Sequence, residues 1–286
     1  MSGSDQTRDV HTRFLMGIHS KHPGLTELSI GAARTADGLS TYEVFCRFVN
    51  PRAGMAVVDL ACGSGPLCGI LARYVGLKGQ VIGVDLSDAE LLIARERLRG
   101  CKNVSFLNES AERVSLADAS ADLVVCHMAF MLFTPLASTV AEIGRILKSG
   151  GTFAAVIPTL RKPTDLFRDC AGVLRAALQE ECHELGALSG NVIKMSSIGD
   201  LQAIFSNGDW DCDGIATGDI DVSIIARPEA LARQISPAFY HYQLLSDDAQ
   251  RRVVSRWVTL FTEHRDMSGM CSFHFPLSAF SVRKRN

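Results

Sequence analysis

The sequence predicts an α/β protein built on a mostly parallel sheet with helices on both faces, and three observations predict it. Between Met55 and Lys148, short β-branched runs alternate with longer segments of helical period, the pattern of strand, crossover helix and returning strand. The first of those runs breaks into a small-residue turn with Gly63 and Gly65, and ligands in open α/β sheets bind outside the carboxyl ends of the strands. The chain has 286 residues, 47% hydrophobic and 21% charged, which supplies a sizeable core and excludes a largely disordered chain.

The elements follow in order. "MAVVDLA" reads as a buried strand, "PLCGILARYVG" as a helix, "QVIGVDLS" as a strand and "DAELLIARERLRG" as a helix ended by Gly100. "VSFLNES" and "ADLVVCHMAF" are strands, "LASTVAEIGRILKSGG" is a helix closed by a glycine pair, and "TFAAVIPT" is a strand. Beyond it, "TDLFRDCAGVLRAALQEECHELGAL" reads as an added amphipathic helix, and "SSIGDLQAIFSNGDW" as a shorter one capped by Ser196 or Ser197. "ATGDIDVSIIA" and "CSFHFPLSAFSVRKR" supply two further strands, separated by a stretch of helical period interrupted at Pro237. The first 50 residues read as mainly helical. The expected organisation is an N-terminal helical lid, 1–50, and an α/β domain, 51–286, with helical insertions at about 164–190 and 227–265 that cap one sheet edge. Such a cap is where specificity usually resides.

A formal charge of −2 gives no electrostatic footprint for a nucleic-acid partner. The nine cysteines are odd in number and contain no C-x-x-C pair, so free thiols in a reduced compartment are expected. No run reaches the length of a membrane span, and "MSGSDQTRDVHTRF" lacks an apolar stretch of signal-peptide length; a cytoplasmic protein with no membrane partner is the expectation. "ECHE" at 181–184 and "DWDCD" at 209–213 carry metal-ligating residue types but no partner histidine at helical spacing, so both read as solvated and no metal is expected. Nothing in the sequence bears on oligomeric state.

A strand that ends in a glycine turn and passes into a helix brings main chain close to a ligand. A phosphate-gripping P-loop is excluded, because "GSGPLC" has no lysine after its second glycine. A dinucleotide site prefers G-x-G-x-x-G, and here Cys68 stands at the third glycine while Pro66 removes an early backbone donor. A turn that merely shapes a strand-to-helix connection is the plain structural alternative.

Several segments together resemble the class I S-adenosylmethionine-dependent methyltransferases. "VVDLACGSG" resembles their first motif, with Asp59, Gly63 and Gly65 in place and Ala61 where the first glycine often stands. "VIGVDLS" resembles the second, with Asp85 ending the second strand 26 positions after Asp59. "NESAERVSLADASADLVVCHMAF" and "EIGRILKSGGTFAAV" resemble the segments that follow, and the resemblance covers Met55 to Ile157. It implies a Rossmann-like, mostly parallel seven-stranded sheet with a helical cap, and S-adenosylmethionine as cofactor. The implied cofactor-binding residues are Asp59, Ala61, Cys62, Gly63, Gly65, Asp85, Leu86, Ser110, Ala111, Glu112 and His127. Within this set Asp85 is expected to be ionised and to accept both ribose hydroxyls, although a strand-end acid can also simply cap the next helix; the glycines let the main chain approach without a Cβ. Ser110 stands where the family usually has an acid for the adenine amino group, which leaves the backbone N–H of Ala111 to meet the ring.

Methyl transfer is an in-line displacement that relies on positioning in a dry pocket. His127, just past the fourth strand, is the candidate base, since an imidazole titrates near neutrality; packing of its ring in the pocket wall is the alternative. Cys126 and Met128 read as lining. Tyr240, His241 and Tyr242 in "AFYHYQLL" offer rings that could wall an acceptor or shield a sulfonium, with Tyr240 and Tyr242 the catalytic candidates, and His11, His19 and His22 lie in the N-terminal segment that could reach the cofactor. The expected substrate is a small molecule, as in secondary metabolism. Two other readings stay open: an enzyme that turns the sulfonium on itself, forming azetidine-2-carboxylate and methylthioadenosine, and an inactive cofactor-binding or scaffold protein.

Overall fold

The computed structural model describes residues 14–158, 160, 162–181 and 195–286. Seven strands form one sheet: β1 (Ala56–Leu60), β2 (Gln80–Asp85), β3 (Val104–Asn108), β4 (Ala121–His127), β5 (Leu147–Ile157), β6 (Ala216–Ala226) and β7 (Cys271–Arg283). Their order is β3-β2-β1-β4-β5-β7-β6. All neighbours from β3 to β5 are parallel, and β7 runs antiparallel to both β5 and β6. The chain returns to the sheet centre between β1 and β4, which makes the ends of those strands the switch point where a ligand crevice opens.

The central position of β1 explains its run of apolar residues. It pairs on both sides and is covered on both faces, so only Asp59 interrupts a buried strand. Between the strands lie α4 (Pro66–Val75), α5 (Asp88–Arg97) and α6 (Leu136–Ile146). Proline occupies the first turn of α4, where its missing N–H has no intrahelical partner to lose. α5 starts at Ser87, whose hydroxyl accepts the N–H of Glu90.

Among the described residues, the N-terminal region carries α1 (14–21), α2 (Leu25–Leu28) and α3 (Thr41–Val49). Residues of α1 and α2 lie over the carboxyl ends of β1 and β2. The added helices are α7 (Asp165–Glu181), α8 (Ile198–Phe205), α9 (Pro228–Ile235) and α10 (Asp247–Glu263). α10 packs on both α7 and α9, and Trp257 in α10, fully buried, donates its indole N–H to the carbonyl of Cys170 at 3.0 Å. α8 is capped by Ser197 rather than Ser196. The rings of Phe130, Phe153, Phe205 and Phe280 pack together under the outer half of the sheet.

Two boundaries differ from expectation. The helix expected through the glycine pair ends at Ile146, and β5 begins at Leu147, because Leu147 already pairs with Ala121 and Gly150 turns the chain at φ +73°. The helical stretch at 227–265 is broken more widely than at Pro237 alone: residues 236–244 form two short 3₁₀ turns, and α10 restarts at the Ser246 cap. The end of the expected 164–190 insertion, with Cys182, His183 and Glu184, and His11 lie outside the described residues.

Candidate functional site

The turn after β1 is built from three residues in the left-handed region. Ala61 adopts φ +55°, which costs an alanine about 1 kcal/mol and explains why glycine would suit this position. Gly63 (φ +52°) donates its N–H to Asp85 Oδ2 at 2.8 Å, so the turn is fastened to the end of β2. Ser87 donates its N–H to Asp85 Oδ1, also at 2.8 Å. Each oxygen therefore retains acceptor capacity for a ligand hydroxyl. Burial raises the Asp85 carboxyl while the two backbone N–H bonds work against it.

The two glycines do different work. A Cβ on Gly63 would point toward Glu90 Oε2, 3.7 Å away, on the cavity side. A Cβ on Gly65 (φ +77°) would stand 3.0 Å from the Cβ of Ala94, so Gly65 permits close approach of the turn and α5 and does not line the cavity.

Asp59 is 1% exposed, and the thiol of Cys68 donates to its Oδ2 at 3.2 Å. Burial pushes its carboxyl up to about 7. Cys68 thus fills, with a hydrogen-bonding thiol, the place of the third glycine of a dinucleotide loop.

One cavity joins these groups. Asp59, Ala61, Cys62, Gly63, Asp85, Leu86, Ser110, Ala111, Glu112, His127 and Tyr240 all line it, together with Met128, while Cys126, also expected to line it, is buried outside it. Of the sequence-derived set, Gly65 and Tyr242 stand apart. Tyr242 is buried with its ring stacked on Trp257, 5.8 Å between centroids, because the 3₁₀ turn aims consecutive side chains to different sides. His19 lines the cavity, His22 is exposed outside it, and His241 stacks on Phe14.

His127 is 8% exposed, and its ring lies 4.4 Å from that of Tyr42 and 6.1 Å from that of Phe45. Burial pushes the imidazole down to about 3, so it is neutral throughout the physiological range; a base titrating near pH 6.5 is not what this environment makes. Its Nε2 is buried with no hydrogen-bond partner among the described residues. Burial raises the Cys126 thiol well above its ordinary value and leaves it unreactive. Tyr240 shares a hydrogen bond with Thr26 Oγ1 at 2.7 Å, and burial lifts its phenol to about 12.

Several lining residues went unnoticed in the sequence: Tyr42, Thr26, Glu27, Ser64, Glu90 and Phe133. Glu27 accepts from Ser64 Oγ at 2.8 Å and from Arg97 at 2.9 Å, which ties α2 to the glycine turn and to α5. Glu90, 2% exposed, accepts from His19 Nδ1 at 2.8 Å and from the N–H of Gly24 at 2.9 Å. The one available signal was spacing: Ser87-x-x-Glu90 reads as a helix cap, which hides any other use of the acid. Among the described residues no group of three His, Cys, Asp or Glu side chains could hold a metal ion, and no helix is long and apolar enough to cross a membrane. In "DWDCD", Asp211 turns onto Gly214 and Trp210 is buried against Phe205.

A strand-end acid, a glycine turn fastened to it and a cavity at the switch point define a nucleoside-cofactor site on a doubly wound sheet. The methyltransferase-domain family model matches residues 51–211, more than half of the chain, and the chain belongs to that family of S-adenosylmethionine-dependent enzymes. It is similar to an arsenite methyltransferase from Aquipseudomonas alcaligenes, 33% identical over 146 residues that cover 44% of this chain and 42% of the relative. It is also similar to the ubiquinone/menaquinone biosynthesis C-methyltransferase UbiE of Shewanella piezotolerans, 35% identical over 103 residues, 35% of this chain and 41% of the relative. The chain thus spans about two fifths of the length of these curated relatives. The crystal structure of YcgJ from Bacillus subtilis shares the fold, with a TM-score of 0.56, 19% identity, and coverage of 86% of this chain and 98% of that one.

The residues present fit the cofactor. Asp85 offers two oxygens with remaining capacity, Gly63 leaves main chain open where a Cβ would stand, and the His127 residue that carries a buried unpartnered Nε2 lines the same cavity.

Proposed function

We propose that this protein is a methyltransferase that acts on a small molecule held, together with S-adenosylmethionine, in the cavity between the strand ends and residues 14–28. The carrying observation is that one cavity brings together Asp59, Asp85 and the glycine turn with the rings of Tyr42, His127, Phe133 and Tyr240. Both matched relatives are named for small-molecule chemistry, arsenite in one and ubiquinone/menaquinone biosynthesis in the other. An organic acceptor of secondary metabolism accords with the aromatic wall, and a reduced, cytoplasmic setting accords with the eight free cysteines among the described residues.

In this reading Asp85 accepts the ribose hydroxyls, Ala111 presents its N–H to the adenine, and Asp59 stands near the amino-acid end of the cofactor. Ser110, Glu112, Leu86 and Cys62 complete the wall. When bound, the cofactor supplies an electrophilic methyl group on a sulfonium. His127 holds the acceptor through its neutral Nε2, which takes an N–H or O–H hydrogen bond; it orients the acceptor and does not carry a proton away. Tyr42 and Tyr240 line the cavity with aromatic rings, a type of group that favours a cation. Residues 14–28 act as a lid: their ties through Thr26 to Tyr240, Glu27 to Ser64 and His19 to Glu90 exclude water from the reacting atoms.

The test is incubation with S-adenosylmethionine and a panel of small amines, phenols, quinols and thiols, with both sulfur products quantified. S-adenosylhomocysteine formation dependent on one acceptor class is expected. Methylthioadenosine formed without any acceptor would overturn the reading in favour of attack within the cofactor itself.

A further inference from the structure

We propose that Glu90 is a further cofactor-binding residue: its Oε2 accepts a hydrogen bond from a ribose hydroxyl of S-adenosylmethionine, while its Oε1 holds residues 19–24 over the site. The inference rests on the placement of the ribose at Asp85.

The two oxygens of Glu90 have different surroundings. Oε1 takes two donors, the N–H of Gly24 at 2.9 Å and Nδ1 of His19 at 2.8 Å. Oε2 is fully buried and has no partner among the described residues. A buried acceptor left without a donor is costly, and native proteins rarely keep one except where something else supplies the donor. Here the side chain lines the cavity, and Oε2 faces Gly63, 3.7 Å from where that residue's Cβ would be.

The start of another helix shows why this acid is available. At α3, Ser40-x-x-Glu43 forms a complete capping box: Glu43 reaches back to accept the N–H of Ser40 at 2.8 Å. At α5, Ser87-x-x-Glu90 has the same spacing, but the N–H of Ser87 is already taken by Asp85 Oδ1. The capping role is thereby vacated, and the Glu90 carboxyl turns instead toward the lid and the glycine turn. Asp85 has spent one acceptor position of each oxygen on Ser87 and Gly63. A ribose diol brings two donors to this corner, and Glu90 Oε2 supplies a third acceptor oxygen on the same side of Gly63. A single carboxyl group then links the bound ribose to Gly24 and His19, so cofactor binding and closure of residues 19–24 are coupled.

The test is calorimetric titration of wild-type protein and Glu90→Gln with S-adenosylhomocysteine and with its 2′-deoxy and 3′-deoxy analogues. In the variant, Gly24 and His19 both donate and so retain the amide oxygen, which turns the amide nitrogen toward the ribose and replaces an acceptor by a donor. Glu90→Gln is expected to weaken S-adenosylhomocysteine by about ten- to a hundredfold. One deoxy analogue should lose affinity in wild type yet lose nothing further in the variant. Binding within twofold of wild type, or deoxy losses that multiply fully with the substitution, would overturn the proposal. A second measurement uses the wild-type protein alone: S-adenosylhomocysteine should slow hydrogen exchange at the Gly24 amide at least tenfold, and an unchanged rate would overturn the coupling. If wild-type protein binds no S-adenosylhomocysteine at all, the ribose placement at Asp85 fails, and this inference with it.

Discussion

Two kinds of lining meet in the cavity: at the ends of β1 and β2 the acids Asp59, Asp85 and Glu90 gather around the glycine turn, while Tyr42, His127 and Tyr240 contribute rings that burial holds uncharged. The same force, desolvation, favours the uncharged form of both kinds of group and therefore moves their pKa values in opposite directions. It raises the carboxyl of Asp59 toward neutrality and lowers the imidazole of His127 away from it. Charge is thus disfavoured at Asp59 and at His127 alike, and Asp85 keeps its carboxylate against burial through the N–H groups of Ser87 and Gly63. The acids fix orientation through directed bonds, and the rings offer shape.

The largest expected effect is on stability against pH, where the two kinds of lining oppose each other. Asp59 stays protonated in the folded protein up to about 7 while the unfolded chain ionises near 3.8, so between these values the folded state binds more protons and this term loses stability as pH rises. His127 stays neutral down to about 3 while the unfolded chain protonates near 6.5, so its term loses stability as pH falls through that window. Each is worth at most about 4–5 kcal/mol, and over the shared window they cancel in large part. Asp59→Asn should unmask the acid-side loss and His127→Asn the opposite slope, read by chemical denaturation of cofactor-free protein from pH 4 to 7. Parallel profiles in the two variants would break the comparison.

Next in size, Asp85→Asn should weaken S-adenosylhomocysteine by about a hundredfold, since an amide keeps one acceptor oxygen for the N–H groups of Gly63 and Ser87 and for the ligand. Calorimetry within threefold of wild type would mean that the acidic wall does not hold the cofactor.

The glycines divide the same wall more finely. Both adopt positive φ, so alanine at either position costs about 1 kcal/mol of backbone strain. Gly65→Ala adds overpacking against Ala94, about 1–3 kcal/mol more. It should lower the melting temperature beyond Gly63→Ala, whereas Gly63→Ala should weaken cofactor binding about tenfold or more.

The smallest effect sharpens the aromatic side. Tyr240→Phe removes the bond to Thr26, about 1 kcal/mol, and should raise the KM for cofactor severalfold. Tyr242→Phe keeps the ring stacked on Trp257 and should leave kinetics within twofold.

Much of the acidic wall was legible in the sequence because its parts are local: a strand, a glycine turn and an acid at the end of the next strand lie within one repeating unit. The seven strands were legible for the same reason, since each carries its own apolar run and punctuation. The aromatic wall was not. Tyr42 and Thr26 reach the cavity from helices of the N-terminal region whose docking depends on tertiary contacts, and nothing near them in the sequence marks a ligand. His127 was found by position, but the depression of its imidazole follows from burial beneath Tyr42 and Phe45, which the sequence does not express. Tyr240 and Tyr242 could not be told apart until the 3₁₀ turn sent one toward Thr26 and the other toward Trp257. Glu90 was concealed by a spacing that is read correctly as a cap at Ser40 and Glu43 and performs another task at Ser87.

The most direct test of this cavity is a crystal structure with S-adenosylhomocysteine bound. The ribose hydroxyls are expected on Asp85, with the sulfur beside the rings of Tyr42, His127 and Tyr240. An adenosyl group seated against those rings, with the acids left facing solvent or an empty corner, would contradict this placement.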